Sequence, residues 1–431
     1  MSRPDGSGPG GTCTSPAHIL LDHGPDPFPM TLAEFIGAAR DGGTVRLDSD
    51  QSEAVEVPIR ARVHIDLGGH TWTAPAGSTP LKVVGADVRI SNGTIRSEGA
   101  VAVRIGAPGS EYPSNVTLDP DVHIVAENHA GIFVSAGANL DTYADITVTG
   151  EFGCVQGNGS EPHWGNSVRI GGGTLTSDGV AVYWPQVGDL TVSGGDITGS
   201  TGIEMRAGRL LFKGGTVTGT AVPASVTPNG NGSTSAGAGI AVTQHTTRMT
   251  LSATVTGGTV KGYTAVYQAN PEGNPAGAVS KVGMRIDGGM FGTVNGGTAV
   301  LHSENISGYV TGGTFDRPLP AGAVAPGSAM VANPDGTYGT VRAEWSFPDG
   351  AAVGGGFGGL RRLILTCPSL GYSGGFAVPV PGFGPVAVTG ASARGGIDAW
   401  LDPETGLIHL YRAGSEVSGT VEGLTLVMVG H

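Results

Sequence analysis

The feature that most constrains this chain is a Gly-Gly pair that returns along most of its length. The stretches "GGTLTSDGVAVYWPQ", "GGDITGSTGIEMRAG" and "GGTVTGT" follow one another at steps of about 20 residues. In each copy an alternating apolar and polar stretch precedes the pair, and two short strand-like stretches separated by a turn follow it. Repetition of this kind predicts a stack of similar structural units. The second glycine of the pair, or its equivalent, falls at Gly69, Gly93, Gly173, Gly195, Gly215, Gly258, Gly289 and Gly313.

A unit of this size holds two or three short strands and is too small to bury its own apolar side chains. Stacking successive units buries them in one continuous core, as in solenoid proteins. Because no helix-length segment separates the short strands, the sequence predicts an all-β protein whose parallel sheets wind as a β-helix. About ten coils, at roughly 4.8 Å per coil, would form a rod about 50 Å long between residues 60 and 315.

The first coil needs a cover, because an open sheet end invites pairing with another chain. Residues 31–40, "TLAEFIGAAR", predict an N-terminal capping helix with Thr31 as the N-cap. The apolar residues at helical spacing are Leu32, Phe35, Ile36 and Ala39.

The stretches "TLAEFIGAAR", "DGGTVRLDSD" and "VHIDLGGHTW" resemble the beginning of pectate-lyase-like proteins, whose fold is a right-handed parallel β-helix. The likeness covers roughly residues 30 to 315. Further on, "GGTFDRPLP" and "DGTYGTV" resemble the closing phrase of repeats in bacterial and phage surface proteins, including tailspikes and virion fibres. The resemblance implies the fold. It selects no activity, because this fold carries lyases, hydrolases, tailspikes and adhesive rods.

Past residue 315 the repeat ends and a Pro-rich stretch follows. Six strand-like stretches between 361 and 429, one pair of them joined by the turn in "LDPETGLIHLYRAG", predict an antiparallel β-sandwich-like domain. The predicted organisation is an N-terminal arm or attachment segment (1–30), the capping helix and β-helix (31–315), an exit segment (316–344) and the C-terminal β-domain (345–431).

Charge and hydropathy argue against two classes of partner. The formal net charge is −13, and nucleic-acid binding needs clustered Lys and Arg that this chain lacks. No stretch approaches the ~20 apolar residues of a membrane span. We therefore expect neither nucleic acid nor a membrane span.

The cysteines and the first residues indicate a compartment. Cys13, Cys154 and Cys367 lie far apart, so the sequence predicts no disulfide framework, no metal site and no cofactor. The opening "MSRPDGSGPGGTCTSPAH" lacks the basic start and apolar core of a signal peptide. This pattern is expected of a virion component that is released by lysis rather than by standard secretion.

Known chemistry of the β-helix class finds little support in the motifs. No predicted coil offers the carboxylate cage and nearby base of a pectate-type lyase. The "NTD", "DD", "GHG" and "RIK" motifs of polygalacturonase-like hydrolases do not occur. Whether the chain is an enzyme stays open at this point; if it is, a polysaccharide lyase or glycoside hydrolase is expected.

The third strand-like stretch of successive copies predicts a polar surface strip. Aligning its inward residues, with Ala265 and Tyr267 among them, makes the outward residues stack from coil to coil. The predicted strip consists of Tyr183, Arg206, Thr243, Gln268 and His302, with Trp184, Glu204, Gln244, His245 and Glu304 beside them. Rings, amides and a guanidinium at this spacing suit a glycan chain, and the alternative is a merely solvated face. The predicted glycan-binding residues are Tyr183, Trp184, Arg206, Gln244, His245, Gln268 and His302.

Catalytic candidates on this strip are Glu204, Glu304 and His302. The two glutamates are expected about 15–20 Å apart, which is too far for a glycosidase pair. A catalytic partner would have to come from one of two long Gly/Ser/Asn-rich loops on the flank, residues 157–166 and 223–237.

The function that these observations favour is a virion-associated structural protein, such as a phage tailspike, receptor-binding fibre or capsid fibre. We expect it to bind host cell-surface polysaccharide along the β-helix, to form a homotrimer and to contact other virion proteins. The alternatives are a polysaccharide-degrading enzyme of the β-helix class and a bacterial surface adhesin.

Overall fold

The computed structural model of the 431-residue chain describes residues 18–20, 31–161, 164–222, 224–229, 232–320, 322–332, 335–342, 361–372, 374–377 and 385–430. Its main body is a right-handed parallel β-helix, which confirms the predicted fold class. From the second coil onward, each complete coil contributes a strand to each of three sheets, and every pairing between neighbouring coils is parallel.

The first sheet begins with a short strand, His18–Leu20, that pairs with the strand after the capping helix. Most of the predicted N-terminal arm lies outside the described residues. The remaining strands of the first sheet are Asp41–Arg46, Arg62–Asp66, Asp87–Ser91, Ser114–Leu118, Ala138–Thr142, Ser167–Ile170, Asp189–Val192, Gly208–Phe212, Leu251–Val255 and parts of Val282–Thr293 and Val310–Phe315.

The second sheet follows the corner that carries the Gly-Gly pair in most coils. Its last two strands continue from the first sheet without a break, because Val282–Thr293 and Val310–Phe315 pass through both sheets. The other strands of the second sheet are Thr71–Thr73, Gly93–Glu98, Val122–Glu127, Asp145–Thr149, Thr174–Ser177, Asp196–Gly199, Thr216–Gly219 and Thr259–Gly262.

The third sheet has ten strands, one from each complete coil. The number agrees with the predicted ten, although the first coil begins at Asp41 rather than near residue 60. The strands are Val55–Val57, Leu81–Val83, Val103–Ile105, Ile132–Val134, Val155–Gly157, Val182–Trp184, Ile203–Met205, Ala238–Thr243, Thr264–Ala269 and Leu301–Ser303.

The core is one continuous column of inward side chains. Along the third sheet, for example, Val182, Ile203 and Ile240 are paired neighbours, and each is fully buried. Alternation along each short strand sends every second side chain into this column. The core therefore forms only between coils, as the repeat predicted.

The repeated glycine occupies the corner between the first and second sheets. All eight glycines that mark the repeat have positive φ, including Gly195 at +87°. A Cβ on Gly195 would lie 2.7 Å from the carbonyl oxygen of Gly173 in the preceding coil. Glycine is required here both for its φ and for the close approach of neighbouring backbones.

The predicted capping helix covers the first coil. It spans Leu32–Ala38, and Thr31 caps it in a reciprocal capping box with Glu34. Leu32 and Ile36 are buried against the first coil, as the spacing predicted.

Two insertions interrupt the coil pattern between the eighth and tenth coils. Residues 223–237, predicted to be a loop, contain an antiparallel hairpin of Ser225–Asn229 and Gly232–Ala236. A short helix, Ala276–Val279, follows the ninth strand of the third sheet. Both insertions lie next to the third sheet and shape the candidate site.

The predicted exit segment extends the sheet at the C-terminal end of the rod. Strands Ser328–Ala332 and Tyr338–Arg342 form a hairpin, and Phe315 of the last coil pairs with Tyr338. Phe376–Ala377 joins the same hairpin, and Ile408–Arg412, Asp398–Leu401 and Ser415–Glu416 extend it antiparallel.

A separate sheet completes the C-terminal part. In it, Gly419–Gly430 pairs antiparallel with Arg361–Tyr372 on one side and Pro385–Ser392 on the other. Leu424 and Leu426 of this sheet pack in one apolar cluster with Ile408 and Leu410 of the extension. Two antiparallel sheets thus share a core, while the domain boundaries remain a prediction.

Replacing the corner glycine tests the stacking directly. In Gly195→Ala, the added methyl meets the backbone of the preceding coil and the residue is forced into a positive φ, so we expect a loss of about 2 kcal/mol or more. The unfolding midpoint in urea or on heating measures this loss.

The matched control is Gly277→Ala in the short helix. A Cβ there meets no heavy atom within 4 Å, so the midpoint should stay within about 0.5 kcal/mol of wild type. Equal stability of the two variants would contradict the close coil-to-coil contact.

Candidate functional site

The outward row of the third sheet is continuous from the first coil to the tenth. Parallel register places one side chain of each coil directly above its predecessor, at about 4.8 Å. The row consists of Glu56, Lys82, Arg104, Phe133, Gln156, Tyr183, Glu204, Ala241, Tyr267 and His302.

This register corrects the predicted alignment in the seventh, eighth and ninth coils. Glu204 and Ala241 occupy the row in the seventh and eighth coils, where Arg206 and Thr243 were predicted to follow Tyr183.

In the ninth coil, Val266, not Ala265, pairs with Ile240, so Tyr267 points outward and Gln268 points inward. A one-residue shift along a strand exchanges the two faces. Gln268 is 1% exposed, and its Oε1 accepts hydrogen bonds from Ser303 Oγ (2.9 Å) and Asn305 N (3.0 Å).

Trp184 is a second residue that was wrongly expected at the surface. It lies in the inward row beside Met205 and is fully buried. A wholly buried indole in the core is a packing group, and neither Trp184 nor Gln268 is accessible to a surface glycan.

Gln244 and His245 are also buried, in the turn that follows the eighth strand of the third sheet. Gln244 Nε2 donates to the carbonyl oxygens of Met249 (2.8 Å) and Ala278 (3.0 Å). Burial, followed by the charge of Arg206, lowers the pKa of His245. The predicted surface position is therefore wrong for both residues, which hold neighbouring turns together.

The hairpin of residues 225–236 accounts for the burial of Glu204 and Arg206. Glu204 Oε1 accepts hydrogen bonds from Ser235 N and Oγ, both at 3.0 Å, and from Thr243 Oγ1 at 2.9 Å. Arg206 Nη1 lies 3.9 Å from the same oxygen. Glu204, Arg206 and Thr243 are fully buried, so the predicted exposed strip is covered at its centre.

Glu272 completes this group of charges from a different loop. Its Oε1 is hydrogen-bonded to Arg206 Nη2 and accepts from Ser233 Oγ at 2.7 Å. We call Glu204, Arg206, Glu272, Ser233 and Ser235 the buried ion cluster. It joins the seventh coil, the hairpin and the loop that follows the ninth coil.

The two carboxyls of the cluster have opposite electrostatic environments. Complete burial raises the pKa of Glu204, which the charge of Arg206 and the hydrogen bonds offset only in part. Glu272 is less buried, and hydrogen bonds from Ser233 and Arg206 outweigh its desolvation and lower its pKa. Within the described part of the chain, Glu204 Oε2 and Arg206 Nε have no hydrogen-bond partner.

Beyond the hairpin, the row returns to the surface at Tyr267, which is half-buried, and at His302, which is exposed. Their rings are stacked, with centroids 5.0 Å apart and planes inclined by 13°. Burial, followed by the charge of Glu304, raises the pKa of Tyr267. His302 and Glu304 each expose nearly half of their side chains, and His302 Nε2 lies 3.9 Å from Glu304 Oε1.

A groove begins beside this pair. One depression of about 560 Å³ and a neighbouring one of about 420 Å³ share Asn305, Ile306 and Ser307 in their walls. Asn270 and Asn274 line the first depression and Glu304 lines the second. We call the two depressions, with Tyr267 and His302 beside them, the groove.

Hydrogen bonds hold the wall of the groove in place. Asn270 N donates to Glu304 Oε2 at 3.0 Å, and Asn270 Nδ2 donates to the carbonyl oxygen of Asn274 at 2.9 Å. Asn274 Nδ2 in turn donates to the carbonyl oxygen of His245 at 3.1 Å. These contacts give the groove a fixed rim of amide and carboxylate groups.

The three predicted catalytic residues fall in two places. Glu204 lies in the buried ion cluster, whereas His302 and Glu304 lie together at the groove. Asn270, Asn274 and Asn305 were missed from the sequence, where the one signal was the unusual length of the segment between the ninth and tenth strands of the third sheet. Tyr183, a predicted residue that is half-buried, lies in the outward row on the other side of the hairpin.

Two further searches concern metals and membranes. Among the described residues, no group of three or more His, Cys, Asp and Glu side chains is arranged to hold a metal ion. Neither described helix has the length and hydropathy that crossing a bilayer demands.

Two solved structures are similar to this chain in architecture. The enzymatically active domain of tailspike protein 2 of bacteriophage CBA120 aligns over 90% of this chain and 67% of its own, with 10% identity and a TM-score of 0.35. The Dettilon tailspike protein aligns over 93% of this chain and 90% of its own, with 12% identity and a TM-score of 0.23. No protein-family model and no curated protein matches the sequence. At this identity, no site residue of either tailspike carries over to this chain.

Removing the charge of Arg206 from the buried ion cluster should lower the free energy of unfolding. Arg206→Ala leaves Glu204 buried without its cation and frees Glu272, so we expect a loss of about 3–5 kcal/mol in unfolding free energy. The control is Arg209→Ala, which removes an exposed ion pair with Asp189 and should leave the urea midpoint close to that of wild type. Similar urea midpoints for the two variants would show that the cluster does not stabilise the fold.

Glu204→Gln tests the raised pKa of Glu204 through the pH dependence of folding stability. Because the folded-state pKa of Glu204 is raised, its ionisation destabilises the fold increasingly as pH rises above the ordinary value of 4.5. A glutamine Oε1 keeps the three hydrogen bonds without that cost. We expect Glu204→Gln to gain stability relative to wild type between pH 4 and pH 7 in thermal melts, and a relative loss over this interval would contradict the raised pKa.

Proposed function

We propose that this protein is a glycan-binding fibre of a virion that docks host cell-surface polysaccharide in the groove. The observation that carries the proposal is the stacked Tyr267–His302 pair beside an open groove rimmed by asparagines and one carboxylate.

The aromatic pair supports binding of a sugar ring. A partly exposed ring that is held by a neighbour offers a flat apolar surface at small cost in side-chain entropy. His302 fixes Tyr267 in this way. A sugar face packed on the pair would be oriented toward the groove.

The rim of the groove supports the polar half of the same interaction. The exposed amide of Asn305 can donate and accept hydrogen bonds, and the carboxylate of Glu304 can accept them, so together they match the hydroxyls of a sugar. The amides of Asn270 and Asn274 are already hydrogen-bonded within the wall and keep it in place. The net charge of −13 favours a neutral glycan over a strongly acidic one.

Binding is favoured over hydrolysis by the composition of the groove. Among the described residues that line its two depressions, Glu304 is the one carboxylate. A glycoside hydrolase of the usual kind needs two carboxylates about 5–10 Å apart. Glu204 does not supply the second one, because the hairpin covers it.

The fibre and virion parts of the proposal are supported by the architecture. Ten stacked coils form a rod, and the antiparallel C-terminal part provides a different surface for assembly. We propose that three copies associate and attach to other virion proteins.

Tyr267→Ala tests the groove. Loss of the ring should weaken binding to a polysaccharide recognised by wild type on an array of bacterial surface glycans about three- to tenfold, as expected for one aromatic contact. Tyr143→Ala, which removes a tyrosine that is 41% exposed outside the third sheet, is the control and should bind as wild type. Equal binding by all three proteins would contradict the groove as the site.

Glu304→Gln separates binding from cleavage. If the groove only binds, wild type should release neither reducing ends nor unsaturated sugars from a polysaccharide that it retains. Release by wild type that Glu304→Gln abolishes would replace the binding proposal with the enzymatic one.

The location is tested on particles from a producing culture. Immunogold labelling should place the chain on virions, and light scattering of the purified protein should give the mass of a trimer. Label confined to the bacterial surface would instead favour an adhesin.

A further inference from the structure

A second aromatic and acidic patch lies far along the chain from the groove, in the C-terminal part. Strands Asp398–Leu401 and Ile408–Arg412 pair antiparallel and bring Trp400 directly opposite His409. The ring centroids of these two residues are 5.9 Å apart. Leu401, Ile408 and their inward neighbours face the apolar cluster, so Trp400 and His409 share the outer face of this sheet.

Trp400 is exposed to an unusual degree for its size. It is 52% accessible, whereas Trp72 and Trp184 are completely buried. Leaving half of an indole in water forgoes much of the free energy that its burial would provide. A surface indole next to fixed polar groups is a frequent element of binding sites.

Glu416 is held beside His409 by two hydrogen bonds to the same oxygen. Tyr372 Oη donates to Glu416 Oε1 at 2.6 Å, and His409 Nδ1 lies 2.7 Å from it. The phenol of Tyr372 also accepts from Leu410 N at 3.0 Å, which fixes it against the sheet. Chiefly because of the Tyr372 hydrogen bond, the pKa of Glu416 lies below its usual value, and the carboxylate is ionised at neutral pH.

The second oxygen of this carboxylate is available to a ligand. Among the described residues, the hydrogen bonds to Glu416 all go to Oε1, and the side chain is 40% exposed. The patch therefore combines an exposed ring face with an oriented acceptor, and the connecting His409 side chain is still 18% exposed.

We propose that Trp400, His409 and Glu416 form a second carbohydrate-binding site, which takes one neutral sugar unit of a glycan. The sugar face packs on the Trp400 indole, and a hydroxyl of the same ring donates to Glu416 Oε2. His409 holds the carboxylate in position. This site uses no residue of the groove, so it stands or falls independently of the groove.

The experiment is binding of the full chain to an array of neutral oligosaccharides and polysaccharides. Wild type should retain at least one of these glycans, and Trp400→Ala should weaken that binding about tenfold. Trp400→Phe keeps a smaller ring and should recover most of it. Glu416→Gln keeps an acceptor for Tyr372 but removes the charge, and it should bind measurably less well than wild type.

Two controls separate this site from the groove and from folding. Trp164→Ala removes an indole with 41% exposure from the β-helix and should change nothing. Tyr267→Ala should leave binding at the second site intact. Retention of no array glycan by wild type, or equal retention by wild type and Trp400→Ala, overturns the proposal whatever becomes of the groove.

The mass of the variants distinguishes a glycan from a second copy of this chain as the occupant of the patch. If Trp400 instead packs against a second copy of this chain, Trp400→Ala should lower the mass measured by light scattering and leave glycan binding unchanged. That result would overturn the carbohydrate site and assign the patch to assembly. An unchanged mass together with weakened glycan binding supports the site.

Discussion

Parallel pairing between successive coils is the interaction on which the rest of this molecule depends. No coil has a core of its own, because three short strands enclose only the side chains that they share with the coils above and below. The same pairing fixes the outward side chains at a spacing of about 4.8 Å, so that single residues of successive coils form one row. Core and candidate site are thus two consequences of one backbone arrangement.

The repeat was readable from the sequence because it reflects a backbone requirement. A corner such as Gly195 tolerates no side chain, and its recurrence marks most of the coils. The register within a strand was harder to predict from the sequence. The stretch from Ala265 to Gln268 alternates acceptably in either of two phases, and the choice depends on Gln268 finding partners in the next coil. Such partners come from residues 35 and 37 positions away, which no local pattern reveals.

The covering of the centre of the third sheet could not be predicted from the sequence for a related reason. Glu204 and Arg206 look like surface residues in a strand-like stretch, since buried charges are rare. Their burial depends on Ser233 and Ser235 in an insertion rich in Gly, Ser and Asn, and on Glu272 in a separate loop. Composition predicted a loop that could carry function. It gave no indication that this loop would fold into a hairpin and turn exposed charges into an internal cluster.

The buried ion cluster also anchors the wall of the groove. Glu272 is tied to Arg206, and two residues later Asn274 is tied to the turn at His245, so the loop that forms the wall of the groove is anchored from both sides. Asn270, at the start of the same loop, is fixed by Glu304 of the next coil. A wall that is already ordered loses little conformational entropy when a ligand binds. The charges that the hairpin removes from the surface therefore support the proposed glycan site indirectly, by holding the wall of the groove beside the Tyr267–His302 pair.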